Sequence, residues 1–262
     1  MLLPQEKENL FFTQWTTIDW NKLTNLLSNS LDNMDISFEQ FKSLLDDPNF
    51  ILIDTRLPEQ WMDGHIPNSL HITPATVKFA VAMGVIVKNT PLLFVLDPLI
   101  AKETLAYFKE AGFNNIKGAL QGGYETWKNN NQVTDMLIQV EPDELAMDIP
   151  FDEFLMPLDI REELTFNASH IKNAVSLPLS EFMDPGSMSE LDEHFNIYII
   201  SEDGTSNTLA ASILKKQGIH NIRVVMDGWE GVQFLKDKFS FENIKKPKIS
   251  KADPNKTSFL ED

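Results

Sequence analysis

Short, unbroken apolar runs alternate along this chain with longer stretches in which apolar residues recur at helical spacing. Phe50-Ile51-Leu52-Ile53-Asp54, Leu92-Leu93-Phe94-Val95-Leu96 and Asn115 to Leu120 are of the first kind. Runs this short, without apolar–polar alternation, predict strands covered on both faces. Ser37-Phe38-Glu39-Gln40-Phe41 predicts a helix start, with Ser37 as N-cap and Gln40 at the capping-box position. Ala101 to Ala111 predicts a helix that stops at Gly112, and Tyr124 to Asn129 a closing helix. The order then recurs. Pro142-Asp143-Glu144-Leu145 opens a helix; Leu155 to Ile160 and Asn196 to Ile200 predict strands. Asn207 to Gln217 predicts a helix ending at Gly218, Ile222 to Met226 a strand, and Trp229 to Lys236 a helix. Strands alternating with helices predict an α/β fold, with right-handed crossovers and a mostly parallel sheet flanked by helices on both faces.

The recurrence extends to residue identities. Asp54-Thr55-Arg56 is followed by His65-Ile66-Pro67-Asn68, and Asp159-Ile160-Arg161 by His170-Ile171-Lys172-Asn173, with the same spacing inside each pair. Gly112-Phe113-Asn114-Asn115-Ile116 matches Gly218-Ile219-His220-Asn221-Ile222, and Gly122-Gly123-Tyr124-Glu125 matches Asp227-Gly228-Trp229-Glu230. An offset of 105 to 106 residues is too long for a solenoid and means duplicated domains.

These blocks resemble the rhodanese-like (sulfurtransferase) domain, here in tandem. Leu52 to Arg56 with Gly64 to Ser69 looks like that family's strand-to-loop signature, and the paired Gly-Gly-Tyr and Asp-Gly-Trp blocks are similar to its closing helix. The resemblance covers a first domain over 36–130; residues 1–35 lie outside the repeat and, with Trp15, Ile18, Leu23, Leu26 and Leu27, are expected to form a helical extension, and the polar run from Asn129 to Gln132 points to a linker over 131–139. A second domain follows over 140–238, and then a Lys-rich tail over 239–262. The resemblance also implies sulfur transfer. Family members carry sulfur as a persulfide on a cysteine at a strand end, where backbone N–H groups of the following loop and helix stabilise the thiolate and an anionic donor. A frequent loop pattern is Cys-x-x-Gly-x-Arg.

Composition matters most at this point: the chain of 262 residues contains no cysteine. Thiolate metal sites, iron–sulfur clusters and any persulfide carried on the chain itself are excluded. Counting back from Gly218 places Ser201 at the cysteine position, Gly204 at the loop glycine and Ser206 at the arginine. The loop is Ser201, Glu202, Asp203, Gly204, Thr205, Ser206 and Asn207; its frame survives without its sulfur or its arginine. In the first copy the loop runs from Leu96 to Lys102, one or two residues shorter, with Asp97 nearest the missing nucleophile and Pro98 lacking a backbone N–H. Serine cannot carry a persulfide, and Glu202 and Asp203 would repel thiosulfate. Both positions are therefore expected to be degenerate, and the chain a catalytically inactive interaction or regulatory module. Two rivals stand beside it: a sulfurtransferase-type protein that works through a partner's thiol, and a hydrolase using Ser201 with His194 or Asp203 as base.

Asp54, Arg56, Asp159 and Arg161 could serve a ligand; the structural alternative is a strand-end carboxylate that caps local N–H groups and pairs with the arginine. His65 and His170 share one repeat position. The five histidines show no metal-ligand spacing, so a packed, hydrogen-bonded ring is the expectation, with no metal or cofactor. Trp127 and Trp229 are expected to anchor the closing helices, and Trp15 and Trp20 to pack the extension. The net charge of −17 argues against nucleic acid and anionic lipid and favours a basic or neutral protein partner. No apolar run is long enough to span a bilayer, and acidic residues stand near the start where a signal peptide carries basic ones, so a soluble cytoplasmic protein is expected.

Overall fold

The computed structural model describes residues 34–97, 99–189 and 191–243. The predicted N-terminal helix with Trp15 and Trp20, Pro98, and the tail beyond 243 lie outside the described residues.

In the first half the chain forms β1 (Asp35–Ile36), α1 (Phe38–Leu45), β2 (Ile51–Asp54), α2 (Pro58–Asp63), β3 (Leu70–His71) and α3 (Val77–Ala82). It continues through β4 (Leu92–Val95), α4 (Ala101–Glu110), β5 (Ile116–Leu120) and α5 (Gly123–Asn129). The strands make one parallel sheet in the order β1-β5-β4-β2-β3. Sequence pattern missed β1, α2, β3 and α3. The two strands are only two residues long, and the two helices six, too short for any period to register. The Ser37 hydroxyl accepts from the Gln40 N–H, as its N-cap position predicts.

The second half forms β6 (Ile138–Val140), α6 (Pro142–Asp148), β7 (Leu155–Asp159), α7 (Glu163–Ala168), β8 (His170–Ile171), β9 (Val175–Ser176) and α8 (Pro185–Met188). Then come β10 (Asn196–Ile200), α9 (Asn207–Lys216), β11 (Ile222–Val225), α10 (Gly228–Phe234) and β12 (Phe241–Glu242). Its parallel sheet has the order β6-β11-β10-β7-β9, the same topology as the first. β6 begins inside the stretch that the sequence reading assigns to the linker. The central strands β4 and β10 are almost wholly buried, which is why they read as continuous apolar runs.

The two sheets do not stand apart. One apolar cluster joins Trp61, Leu70, Phe94 and Phe108 of the first half to Leu158, Ile199, Leu209 and Ile213 of the second. Helix α9 supplies much of that join, packing on its own β10 and β11 and also on β3 and α2 of the other half. Eight of its first nine residues are apolar or carry short, uncharged side chains, or are amide-bearing, and all nine are buried. A helix without an exposed polar stripe is covered on more than one side.

Candidate functional site

Each copy brings an aspartate to a strand end, Asp54 to that of β2 and Asp159 to that of β7, and locks it with the arginine two residues on. Arg56 donates through Nη2 to Asp54 Oδ2 at 2.6 Å, and its Nε bridges both carboxylate oxygens at 3.0 and 3.1 Å. A second Nη2 bond reaches the Gly64 carbonyl at 2.8 Å, and the guanidinium lies 4.1 Å over the Tyr124 ring. The second copy repeats this. Arg161 grips Asp159 at 2.6 Å, donates to the Ser169 carbonyl at 2.9 Å and lies 3.8 Å over Trp229. All four side chains are buried. With the fork and the ring face of each arginine engaged, the pair ties strand end, following turn and closing helix together.

The shared histidines are likewise packed. His65 stacks on Trp61 at 3.8 Å and its Nδ1 bonds the Trp61 carbonyl at 2.8 Å. His170 stacks on Phe166 at 3.9 Å with Nδ1 on the Phe166 carbonyl at 2.8 Å. A carbonyl only accepts, so Nδ1 carries the proton in both rings. Burial pushes His65 down to about 4, against the pull of the Trp61 carbonyl and Asp135. Among the described residues no group of His, Asp and Glu side chains is arranged to hold a metal ion.

The strand-to-helix loops are the candidate site. Ser201 directly follows β10, and its side chain is buried. Its hydroxyl accepts from the Gly204 N–H at 2.9 Å. Asp203 Oδ1 accepts from the Thr205 N–H at 3.0 Å and from the Thr205 hydroxyl at 2.7 Å. The Asn207 N–H donates to the Gly204 carbonyl at 3.2 Å. Three of the N–H groups that could face an anion are thus turned onto the loop's own oxygens. Asn207 Nδ2 donates to the Val225 carbonyl at 2.9 Å, while its buried Oδ1 has no partner. Ser206 stands at the N-cap of α9 without a side-chain capping bond. Glu202 faces the closing helix through its carbonyl, which accepts from the Glu230 N–H at 3.1 Å. His194 bonds Asp192 at 2.6 Å on the surface, and that carboxylate raises its pKa.

In the first copy the sheet register corrects one sequence assignment. Val95 pairs with Asp54 as Ile200 pairs with Asp159. The residue one step beyond is Leu96 in the first copy and Ser201 in the second, so Leu96, and not Asp97, fills the cysteine position. The loop between strand and helix is one residue shorter, and Asp97 is only the first polar residue after the strand, while the repeat offset of 105 leads from Ser201 to Leu96. Asp97 comes next and accepts the Leu99 N–H at 2.9 Å. An open cleft of about 430 Å³ lies here, lined by Arg56, Leu96, Asp97, Gly122, Gly123 and Tyr124 among others. The close approach of the closing helix is common to both loops. A Cβ on Gly123 would lie 3.1 Å from the Leu96 carbonyl oxygen, and one on Gly228 would collide with the Ser201 carbonyl oxygen.

Repeat reasoning missed His71 and Lys215, which join the two halves. His71 sits between the Arg56 carbonyl and the Thr208 hydroxyl, at 2.8 Å from each. Lys215 donates to Asp135 Oδ2 at 2.8 Å and to the Met136 carbonyl at 2.9 Å. The counterpart of His71 is Ser176, so no recurrence marks it; Lys215 matches Lys109 at the offset of 106, and the available signal was that identity together with the scarcity of charge in α9 before Lys215.

Fold and loops together define a duplicated α/β protein with one strand-to-helix loop per copy and no thiol in either. The chain belongs to the Rhodanese-like domain family, whose profile matches residues 37–130 and 141–234. It is 30% identical over 114 residues to YrkF of Bacillus subtilis (strain 168), which bears the name of a sulfur carrier protein; the match covers 42% of this chain and 58% of YrkF. Among solved structures it is similar to the rhodanese-like domain of Alr3790 from Anabaena sp., at 23% identity and TM-score 0.37, covering 48% of this chain and 96% of that one. It is also similar to thiosulfate sulfurtransferase from Pseudomonas aeruginosa, at 15% identity and TM-score 0.35, covering 80% and 44%. Among the described residues no helix is long and apolar enough to cross a membrane.

Proposed function

We propose that this chain is a catalytically silent rhodanese-like protein that works by holding a protein partner. One observation carries the reading: the Ser201 loop satisfies its own N–H donors with the Ser201 hydroxyl and the Asp203 carboxylate. In a sulfur-transferring loop those donors serve the thiolate and the anionic substrate. Here the position of the nucleophile holds an un-ionised hydroxyl in one copy and a hydrocarbon in the other. Two carboxylates, Glu202 and Asp203, stand where an anion would have to approach. Ser201 has its hydroxyl on Gly204 rather than on a base, which counts against the hydrolase. The acidic surface suits a basic protein partner in the cytoplasm, without nucleic acid, cofactor or metal.

The test is a thiosulfate:cyanide sulfurtransferase assay on the full chain, alone and with a thiol-bearing partner protein. No turnover in either is the expected result. Turnover that requires the added thiol would replace this reading with transfer through a partner's cysteine. The Ser201→Cys variant is expected to stay inactive, since Asp203 and Ser206 leave the loop wrong for an anion; robust thiosulfate consumption by that single variant would overturn the account.

A further inference from the structure

The contact between the two halves contains a buried imidazole that neither degenerate loop explains. His71 ends β3 in the first half, is buried, and meets α9 of the second half through Thr208. Its tautomer follows from its partners. Nε2 faces the Arg56 carbonyl, which can only accept, so Nε2 carries the hydrogen. Nδ1 is then bare and receives the Thr208 hydroxyl proton. The docked arrangement is complete only while the ring is neutral.

A proton added to Nδ1 changes two things. The Thr208 hydroxyl must rotate from donor to acceptor, and a full positive charge is left in a dry interface. The charged groups that face His71 offer little to offset that charge. From β2, Asp54 is committed to the Arg56 fork at 2.6 Å. Arg56 itself, one carbonyl away, is positive. From α2, Glu59 is exposed and acts at a distance. From α9 the contact is Thr208, uncharged, and two turns further Lys215 adds another positive charge, paired to Asp135 at 2.8 Å. His65, also at this seam, approaches Asp135 at 3.6 Å. Burial holds His71 below the ordinary histidine value, with Asp54 pulling the other way. If α9 leaves β3, water reaches the ring and solvates the imidazolium. Protonation therefore favours the parted arrangement, and by linkage parting favours protonation.

We propose that the seam between the two rhodanese-like domains is an acid-released clasp, in which protonation of His71 parts α9 from β3 while both sheets stay folded. Apart from His71, the seam is held by the Lys215–Asp135 pair and by the apolar join along α9. Within the halves the buried imidazoles are His65 and His170, each held through Nδ1 by a carbonyl of its own half and stacked on a ring there. This inference stands whether or not the loops are silent.

The absence of cysteine makes the test direct. Two cysteines introduced at exposed Lys88 and Glu193, one in each half, carry a donor and an acceptor dye on the full chain. Energy transfer is followed from pH 7.5 to pH 4 alongside far-ultraviolet circular dichroism and hydrogen exchange of the α9 and β10 segments. The expected result is a fall in transfer below pH 6.5 with unchanged dichroism. Exchange of α9, corrected for the intrinsic rate, rises roughly tenfold or more before that of β10. His71→Gln keeps a donor for the Arg56 carbonyl but cannot titrate, and it should remain closed over this range. Loss of transfer only together with loss of dichroism would overturn the proposal, as would opening of His71→Gln at the wild-type pH. Should that variant not fold, the ring proton resonances of His71 in the wild-type chain decide. Titration coincident with opening supports the clasp, and opening that precedes titration overturns it.

Discussion

The two copies of the domain differ in an uneven way. The brackets that hold strand end to closing helix are nearly superimposable in kind: Asp54–Arg56–Tyr124 against Asp159–Arg161–Trp229, and His65 on Trp61 against His170 on Phe166. The loops those brackets support have parted company. One is a hydroxyl-closed turn with Gly204 at its centre, the other a shorter run with Leu96 and Asp97. The difference teaches that the bracket is required by the fold itself, since it persists where no thiol remains to be served. A buried carboxylate and guanidinium are costly unless each completes the other, so neither can drift alone.

The comparison can be broken most forcefully at the bracket. Asp54→Ala and Asp159→Ala should each destabilise the chain by about 3–5 kcal/mol in urea unfolding, because each leaves a buried arginine without its partner. A loss confined to one copy would show that the two brackets are not equivalent. The histidine pair gives the next effect. His65 titrates at about 4 in the fold against 6.5 when exposed. Below 6.5 the unfolded chain takes the proton first, so this group's contribution is whole above pH 6.5, declines as pH falls towards 4 and levels off below. The difference is at most about 3 kcal/mol, and His65→Gln should remove it from the pH dependence of the urea midpoint. Third, Gly228→Ala should cost roughly 2–3 kcal/mol, since its Cβ collides with the Ser201 carbonyl at a backbone φ of 51°. Gly123→Ala, with more room before Leu96, should cost about 1 kcal/mol; equal losses would mean the two loops sit equally close to their helices. Smallest is Ser201→Ala, about 1 kcal/mol by thermal unfolding, from the Gly204 N–H left without its acceptor.

Much of this was legible in the sequence because duplication writes the same constraint twice. Asp54 and Asp159 with their arginines, and His65 with His170, stood out by identical spacing, and the long strands β4 and β10 by their unbroken apolar runs. What the sequence hid was of three kinds. Two-residue strands such as β3 and β9 carry no period, and are made strands only by the neighbour they bond. His71 and Thr208 act across the seam, where one copy touches the other, and their counterparts, Ser176 and Lys102, do not match; Lys215 does match Lys109, but its identity alone does not show that it crosses the seam. The third is the loss of polarity at the cysteine position itself: with Leu96 there, the neighbouring Asp97 is the first polar residue after the strand and draws the assignment.

One pairing carries a consequence for how the chain can be divided. His65 exchanges both backbone bonds with Asp135, at 2.8 and 2.9 Å, beyond the closing helix α5. β12 does the same for His170 after α10. The stretch between the domains is thus the last rung of the first domain, and its continuation, with Leu137 bonded to the Met62 carbonyl at 2.9 Å, leads without a gap into β6. A scissile bond placed after the closing helix would leave His65 without its rung, whereas one at 137–138 keeps that rung and parts Asp135 from Lys215. The natural seam for expressing either half alone runs through a single peptide, 137–138, and each half would then keep the segment that finishes it.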